Sequence, residues 1–296
     1  MTGTSDKIFV QIPAYRDSQL VPTIDSLLNN AQNNERLQIW ICWQHSADET
    51  LPKTLISKNN INVIDVDFKK SRGVGWARAI LQKQWSEESY SLLVDSHTRF
   101  VENWDQQLIN MTIKLKNSGI AKPIISTLPP GFYDPDIYPD DRIDFPTKIY
   151  PGNYESGMLI RFFGYHLPLS NWLSGVIPAQ FLAMGFLFTE GAFNSEIPFD
   201  PEIYFFGDDI TTALRAYCHG YDLFHPHKVI AWHLYDRSSR IPHWEDNPTW
   251  VDLNAKSYQR VRSILRGCEF GKYTIGKDRS IELYQSYIGR RLIENE

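Results

Sequence analysis

The chain is poor in cysteine. Among its 296 residues only Cys42, Cys218 and Cys268 are cysteines, and no two of them form a C-x-x-C pair. Three isolated thiols are too few for the disulfide framework of a small secreted domain, and their spacing does not fit a cysteine-rich zinc site. The cysteine content therefore favours a reducing compartment.

A long apolar run and an excess of basic residues are also missing. No stretch reaches the roughly 18–20 consecutive apolar residues of a membrane span, and the start of the chain, MTGTSDKIFV, has no apolar signal segment. The formal net charge of -5 argues against an extended nucleic-acid-binding surface. We expect a soluble cytoplasmic protein that binds neither membranes nor nucleic acid.

Apolar residues are plentiful. Along the first half of the chain, short apolar runs typical of strands alternate with segments whose apolar residues recur at helical spacing. With 42% hydrophobic and 14% aromatic residues, the chain can bury the core of one sizeable domain. Strands separated by helices predict an α/β fold with a mostly parallel sheet that helices cover on both faces. The predicted strands are 7–13, 37–43, 61–68, 90–96 and 121–129, and the predicted helices are 18–31, 73–85 and 103–116.

The second half of the chain begins with a different texture. Residues 130–175 are dense in proline, aspartate and tyrosine and lack sustained periodicity, which is typical of a lid or an acceptor-binding insertion. A strand is predicted within 179–193 and a helix over 208–221. We expect one domain over residues 1–245, followed by a helical extension over 246–296.

A D-x-H triplet ends the strand "YSLLVD". In a parallel α/β sheet ligands bind beyond the C-terminal ends of the strands, and residues i and i+2 of an extended chain point to the same side. Asp95 and His97, which flank Ser96, therefore predict a site for Mn²⁺ or a similar divalent ion. The plain alternative is a turn cap beside a surface histidine. A third ligand remains open among His225, His227 and His233.

Several motifs, in this order, resemble a known family. The chain resembles the GlcNAc-transferases typified by the cytoplasmic enzyme that glycosylates hydroxyproline on the Skp1 protein. More distantly it resembles the polypeptide N-acetylgalactosaminyltransferases, which also carry D-x-H in place of D-x-D. The resemblance implies a GT-A glycosyltransferase fold. It covers most of residues 7–240 and rests on "IPAYRD" (12–17), "RGVGWAR" (72–78), "LLVDSHTRFVENWD" (92–105), "FGDDITTALRAYCHGYDLFHP" (206–226) and "HLYDR" (233–237).

The resemblance also implies roles for individual residues. It selects His233 as the third ligand of Mn²⁺ or Mg²⁺ beside Asp95 and His97, and it places the acidic pair Asp208 and Asp209 between donor sugar and acceptor. Without the resemblance, that pair is a helix cap. The residues implied to bind the UDP-sugar donor are Arg16, Asp17, Arg72, Arg78, Asp95, Ser96, Gly185, Tyr235 and Arg237.

The implied activity is metal-dependent transfer of N-acetylglucosamine, or a related hexose, from a UDP-sugar. The acceptor is a hydroxyl group on a protein, peptide or small molecule, and the anomeric configuration is retained. Two alternatives stay open: a metal-dependent phosphoester hydrolase that uses the same histidines, and a nucleotide-sugar binding module that lacks catalysis.

Overall fold

The computed structural model describes residues 6–168, 170, 175–238 and 240–295. Its strands are β1 Ile8–Tyr15, β2 Leu37–His45, β3 Ile61–Asp67, β4 Tyr90–Val94, β5 Thr98–Phe100, β6 Pro123–Ser126, β7 Gly131–Phe132, β8 Thr147–Pro151, β9 Phe162–His166, β10 Ile177–Pro178, β11 Phe186–Glu190, β12 Asp222–His225 and β13 Ala231–Leu234. Its helices are α1 Leu20–Asn29, α2 Lys53–Ile56, α3 Val74–Gln82, α4 Trp104–Asn117, α5 Phe193–Glu196, α6 Asp208–Cys218, α7 His243–Asp246, α8 Trp250–Leu265 and α9 Ile281–Ile288.

A sheet of eight strands forms the centre of the molecule, in the order β10-β12-β6-β11-β4-β1-β2-β3. The strands from β4 to β3 pair in parallel, as do β12 and β6. The strand β11 runs antiparallel between β4 and β6, and β10 is antiparallel at one edge. The fold is therefore a mixed, mostly parallel α/β sheet, which confirms the predicted fold class.

The apolar pattern of the sequence accounts for the packing of this sheet. The strand β1 is buried along almost its whole length, as expected for a central strand that helices cover on both faces. One face packs on α1 and α4 through Leu27 and Leu108, and the other on α6 and α8 through Leu214 and Val261. The two apolar layers hold the ends of the central strands in fixed positions.

A small second sheet joins distant parts of the chain. Its strands lie in the order β5-β13-β7, and β5 begins one residue after His97. Pairing of β13 with β5 sets His233 opposite Thr98. A histidine far along the chain is thereby brought beside the D-x-H triplet.

The segment predicted as an irregular insertion contains regular structure. The strands β8 and β9 form an antiparallel hairpin whose inner face buries Ile149 and whose outer face exposes Tyr150, Phe163 and Tyr165. The period-two alternation is short, and flanking prolines and aspartates hide it in the sequence. Residues 169 and 171–174 of this segment lie outside the described residues.

The C-terminal region contains α8 and α9, and both pack against α6. Val261 and Tyr284, one from each helix, are fully buried in the same apolar cluster as α6. The helices are therefore part of the core on that face of the sheet. Among the residues that the structure describes, no helix is both long and apolar enough to cross a bilayer.

Candidate functional site

A cavity of about 340 Å³ opens beyond the C-terminal ends of the central strands. Its walls come from the ends of β1 and β4, the starts of α3 and α6, and the residues that follow β13. This is the position at which open α/β sheets bind ligands. Of the residues predicted for the site, those that line the cavity are Asp17, Arg78, Asp95, Ser96, His97, Gly185, Asp208, Asp209, His233, Tyr235 and Arg237.

The two ends of the D-x-H triplet and the distant histidine meet in this cavity. Asp95, His97 and His233 each offer one ligand atom, and these atoms lie within 4.8 Å of one another. Ligand atoms of one ion, with bonds of roughly 2.0–2.2 Å, are separated by about 3 to 4.4 Å. The three groups are therefore close to the spacing that a shared divalent ion requires, and a carboxylate with two imidazoles suits such an ion.

The other candidate histidines have different surroundings. His225 is fully buried, its Nδ1 lies 2.8 Å from Ser126 O, and its Nε2 accepts a hydrogen bond from Ile149 N at 3.2 Å. Both ring nitrogens are thus used in the core. In the described part of the chain, the only cluster of three potential metal-binding side chains consists of Asp95, His97 and His233, without His227.

The environment favours the protonation states that bind metals. Burial, with the nearby His97, lowers the pKa of His233 to about 4, so its imidazole is neutral at physiological pH. Burial alone would raise the pKa of Asp95, but the hydrogen bond from His233 and the charge of Arg78 outweigh burial and hold that pKa below its ordinary value. A neutral imidazole and an ionised carboxylate are the forms that coordinate divalent ions.

Gly185 closes one side of the cluster. Asp95 N donates a hydrogen bond to Gly185 O at 3.2 Å, so the backbone of Gly185 lies directly against the aspartate. A Cβ atom at position 185 would be 2.7 Å from Asp95 Oδ2. Glycine is therefore needed here because any side chain would displace the carboxylate.

The acidic pair lies at the start of α6, where Gly207 with φ +97° turns the chain into the helix. Asp209 Oδ1 accepts a hydrogen bond from Met184 N at 2.6 Å, and Asp208 forms an ion pair with Arg78. Burial, followed by the negative charge of Asp208, raises the pKa of Asp209 to about 7. The two carboxylates both line the cavity but differ in partner, since Asp208 pairs with Arg78 and Asp209 accepts from Met184 N.

Arg78 connects the acidic pair to the metal-ligand cluster. Its guanidinium is buried and contacts Asp208 through Nη1 and Asp95 through Nη2, the latter at 3.4 Å. A planar guanidinium can hold two carboxylates in a fixed geometry because its donors are rigidly arranged. One side chain of α3 therefore fixes the distance between the end of β4 and the start of α6.

Asp17 and Ser96 lie behind the cluster. Asp17 Oδ2 accepts hydrogen bonds from Ser96 Oγ at 2.6 Å and from His97 Nδ1 at 2.7 Å, and Asp17 Oδ1 accepts one from Gln19 N at 2.9 Å. The Asp17 side chain is 1% exposed. Burial would raise its pKa, yet these hydrogen bonds lower it, so the carboxylate is ionised.

Aromatic and basic residues line the opposite wall. The ring of Tyr235 lies 4.3 Å from that of His233, and its hydroxyl donates to Pro129 O at 2.8 Å. The guanidinium of Arg237 lies 5.0 Å from the ring centre of Trp244. This wall belongs to the covering segment, which we define as residues 235–238 and 240–246.

Two predicted donor-binding arginines do not line the cavity. Arg72 is exposed and pairs with Glu202 at 2.7 Å. Arg16 pairs with Asp246 at 2.9 Å and with Glu49 at 3.2 Å. The covering segment is thus tied to the end of β1 through Arg16.

Several cavity residues were missed from the sequence. Arg240, which donates to Leu234 O at 3.3 Å, adds a second cation to the covering segment. His243 Nδ1 lies 2.7 Å from the hydroxyl of Tyr204, and both residues line the cavity. The only available signal was a run of basic and aromatic residues shortly after "HLYDR", which has no characteristic spacing.

The fold and the match to a family model together define a class of protein, the glycosyltransferases with the GT-A fold. The chain belongs to the family described as "Glycosyltransferase (GlcNAc)", whose family profile matches residues 7–57 and 52–293. No curated protein sequence matches the chain significantly.

Solved structures support the fold. The chain is similar to the crystal structure of GalNAc-T7 with UDP, GalNAc and Mn²⁺, with a TM-score of 0.62, 14% identity, and coverage of 98% of this chain and 55% of that chain. It therefore spans about half the length of that relative. It is also similar to S. aureus TarS 1-349 in complex with UDP-GlcNAc, with a TM-score of 0.56, 13% identity, and coverage of 96% and 72%. Both likenesses confirm the GT-A fold.

Proposed function

We propose that the protein transfers N-acetylglucosamine, or a related hexosamine, from a UDP-sugar to a hydroxyl acceptor with the help of a divalent metal ion. The observation that carries this proposal is the cluster of Asp95, His97 and His233 in a cavity at the C-terminal ends of the central strands. Membership of the GlcNAc glycosyltransferase family supports the reaction class. The UDP and GalNAc in the crystal structure of GalNAc-T7, and the UDP-GlcNAc in that of TarS, support the donor class.

Asp95, His97 and His233 would hold the ion, and Mn²⁺ fits their mixture of oxygen and nitrogen ligands. When bound, the ion supplies Lewis-acid stabilisation of the negative charge that develops on the departing diphosphate. In this proposal Arg237 and Arg240 lie on the covering segment, where their charges complement the same phosphates.

The acidic pair would recognise the sugar. Asp209 faces the cavity and retains lone pairs for sugar hydroxyls, while its contact with Met184 N fixes its orientation. Asp208, paired with Arg78, would act mainly by holding that arrangement. Neither residue is assigned as a general base in this proposal.

The resemblance to the Skp1-hydroxyproline type of GlcNAc-transferase supports retention of the anomeric configuration. In such a reaction the acceptor oxygen bonds to the anomeric carbon from the leaving-group face as the bond to the β-phosphate breaks. A phosphate oxygen of the donor takes the acceptor proton, so atoms and charge balance without a protein base. The same resemblance favours a hydroxyl on a protein or peptide as acceptor.

A panel of UDP-sugars with Mn²⁺ tests the donor and the metal together. We expect UDP-GlcNAc to raise the melting temperature most, and EDTA to remove most of that effect. Release of UDP in proportion to glycosylated acceptor supports a transferase. Sugar release that needs no acceptor supports a hydrolase, and binding without turnover supports a binding module.

Single substitutions test the ligand set. Asp95→Ala and His233→Ala are each expected to abolish Mn²⁺-dependent binding of UDP-sugar in isothermal titration calorimetry while leaving the fold intact. His225→Ala is not a suitable control, because its imidazole is part of the core. His166→Ala removes an exposed histidine of β9 and is expected to change the affinity less than twofold. Unchanged nucleotide binding in both cavity variants would defeat the metal assignment.

A further inference from the structure

The histidine of the D-x-H triplet has a buried carboxylate behind it. His97 Nδ1 lies 2.7 Å from Asp17 Oδ2, which is the distance of a strong, charge-assisted hydrogen bond. A carboxylate is a pure acceptor, so the proton of the neutral imidazole lies on Nδ1. The lone pair that remains is on Nε2, the other ring nitrogen.

The path of the chain makes this contact specific. The strand β1 ends at Tyr15, and Arg16 adopts a positive φ of 43°, a conformation that bends the backbone sharply. The backbone of Arg16 is held by its N–H, which donates to Gln44 O at 2.9 Å. The bend directs Asp17 under the D-x-H triplet, where Ser96 Oγ and Gln19 N hold its carboxylate in place.

Asp17 has little capacity left for a ligand of its own. Its carboxylate accepts three hydrogen bonds from the protein and its side chain is 1% exposed. A residue that contacts a nucleotide directly needs an accessible oxygen. Two of its three hydrogen bonds instead come from Ser96 and His97, the two residues that follow Asp95.

We infer that Asp17 is a positioning residue for the metal site: it fixes the tautomer and orientation of His97 so that Nε2 is presented to the ion. This inference rests on the proposed function, because it assumes that His97 is a ligand. Carboxylates behind metal-binding histidines commonly serve this purpose, and their loss costs roughly 10- to 100-fold in metal affinity. Asp17 would therefore act through His97 without touching the donor.

Metal affinity measured without catalysis tests the inference. Free Mn²⁺ is quantified by electron paramagnetic resonance during titration of the whole chain in the presence of UDP. We expect Asp17→Asn to weaken Mn²⁺ binding about 10-fold and Asp17→Ala up to about 100-fold. The asparagine retains an acceptor for the Nδ1 proton, so a graded loss distinguishes orientation of the ring from simple loss of packing.

Asp105→Asn is a matched control. Asp105 is also a fully buried carboxylate and accepts hydrogen bonds from Gln32 N at 2.7 Å and Asn33 N at 3.1 Å, outside the cavity. This variant is expected to lose stability but to bind Mn²⁺ with an affinity within twofold of the unmodified protein. Equal losses of Mn²⁺ affinity in Asp17→Asn and Asp105→Asn would indicate a general effect of destabilisation and overturn the inference.

A second measurement requires no variant. In the metal-free protein the ¹⁵N chemical shifts of His97 report its tautomer, and we expect the proton on Nδ1. A proton on Nε2 overturns the inference, and so does unchanged Mn²⁺ affinity in folded Asp17→Ala. If the unmodified protein binds no Mn²⁺, the metal site of the proposed function is wrong, and the positioning role is wrong with it. If the unmodified protein binds Mn²⁺ but Asp17→Ala binds it equally well, only the positioning role is wrong.

Discussion

Replacement of Asp209 by asparagine is expected to make the protein more stable and less active. Burial and the charge of Asp208 raise the pKa of Asp209 to about 7 from its ordinary 3.8. A carboxyl group whose pKa is raised on folding stabilises the fold in its neutral form. That contribution is complete below pH 3.8 and is lost as the pH rises through about 7. At pH 8 the ionised side chain therefore costs stability.

The magnitude follows from the size of the pKa difference. At about 1.4 kcal/mol per pH unit, the rise to about 7 corresponds to at most about 4 kcal/mol. Asp209 borders the open cavity, where solvent screens its charge, so we expect about 1–2 kcal/mol at pH 8. Asparagine removes the charge and keeps an oxygen that can accept the hydrogen bond from Met184 N.

Urea unfolding of both proteins between pH 4.5 and 8 measures this effect. The stability gap between Asp209→Asn and the unmodified protein is expected to widen with pH up to about 7 and then to stay constant. Asp252→Asn, which removes an exposed carboxylate on α8, is the control and should stay within about 0.5 kcal/mol at every pH.

Turnover of UDP-sugar by the same variant completes the test. We expect kcat to fall much more than the affinity for UDP, because Asp209 would contact the sugar. Parallel stability curves, or a less stable variant at pH 8, would refute the electrostatic argument. Equal losses of turnover and UDP affinity would refute the assignment of Asp209 to the sugar.

Three further substitutions test other parts of the site. Gly185→Ala places a Cβ 2.7 Å from Asp95 Oδ2, so Mn²⁺ affinity should fall at least about 10-fold, and an unchanged titration would contradict the close contact. Arg78→Met leaves the buried carboxylate of Asp208 and the half-buried carboxylate of Asp95 without their cation and should cost about 3 kcal/mol in urea unfolding. A loss below about 1 kcal/mol would argue against the bridge. Asp246→Asn removes the ion pair with Arg16 and should raise both the association and the dissociation rate of UDP, measured by stopped-flow fluorescence. Unchanged rates would mean that this ion pair does not restrain the covering segment.

The sequence predicted the framework of the fold because local patterns determine it. The spacing of apolar residues located the strands from β1 to β4 and the helices α1 and α3, but not the short helix α2. The end of β4 located Asp95 and His97. These predictions depend only on residues that are neighbours along the chain, for which spacing and burial are directly related.

The third ligand could not be chosen from the residues alone. Nothing local in the sequence distinguishes His225, His227 and His233 as metal ligands, and only the resemblance favoured His233. In the structure His225 belongs to β12 inside the large sheet, while His233 belongs to β13 beside β5. That difference arises from strand pairing over more than one hundred residues of chain, which no local pattern reports.

The covering segment was the least predictable part. The ion pair between Arg16 and Asp246 joins residues that are 230 positions apart in the sequence. Such a separation matches neither the spacing of a helix nor that of a strand. The β8–β9 hairpin was likewise hidden, because alternation is confined to the five residues of β8 and no residue of β9 is buried. Contacts of this kind depend on the assembled fold, so no local sequence pattern indicates them.

Arg78 makes the two ends of the cavity interdependent. Because its guanidinium contacts both carboxylates, we expect a displacement of α6 to move Asp95, and a displacement of Asp95 to move α6. We therefore expect occupancy at one end to alter affinity at the other, by the same factor in both directions because binding free energies are reciprocal. If a sugar beside the acidic pair strengthens the binding of an ion at the Asp95 cluster, the UDP that remains after transfer would hold that ion less tightly than the intact UDP-sugar does.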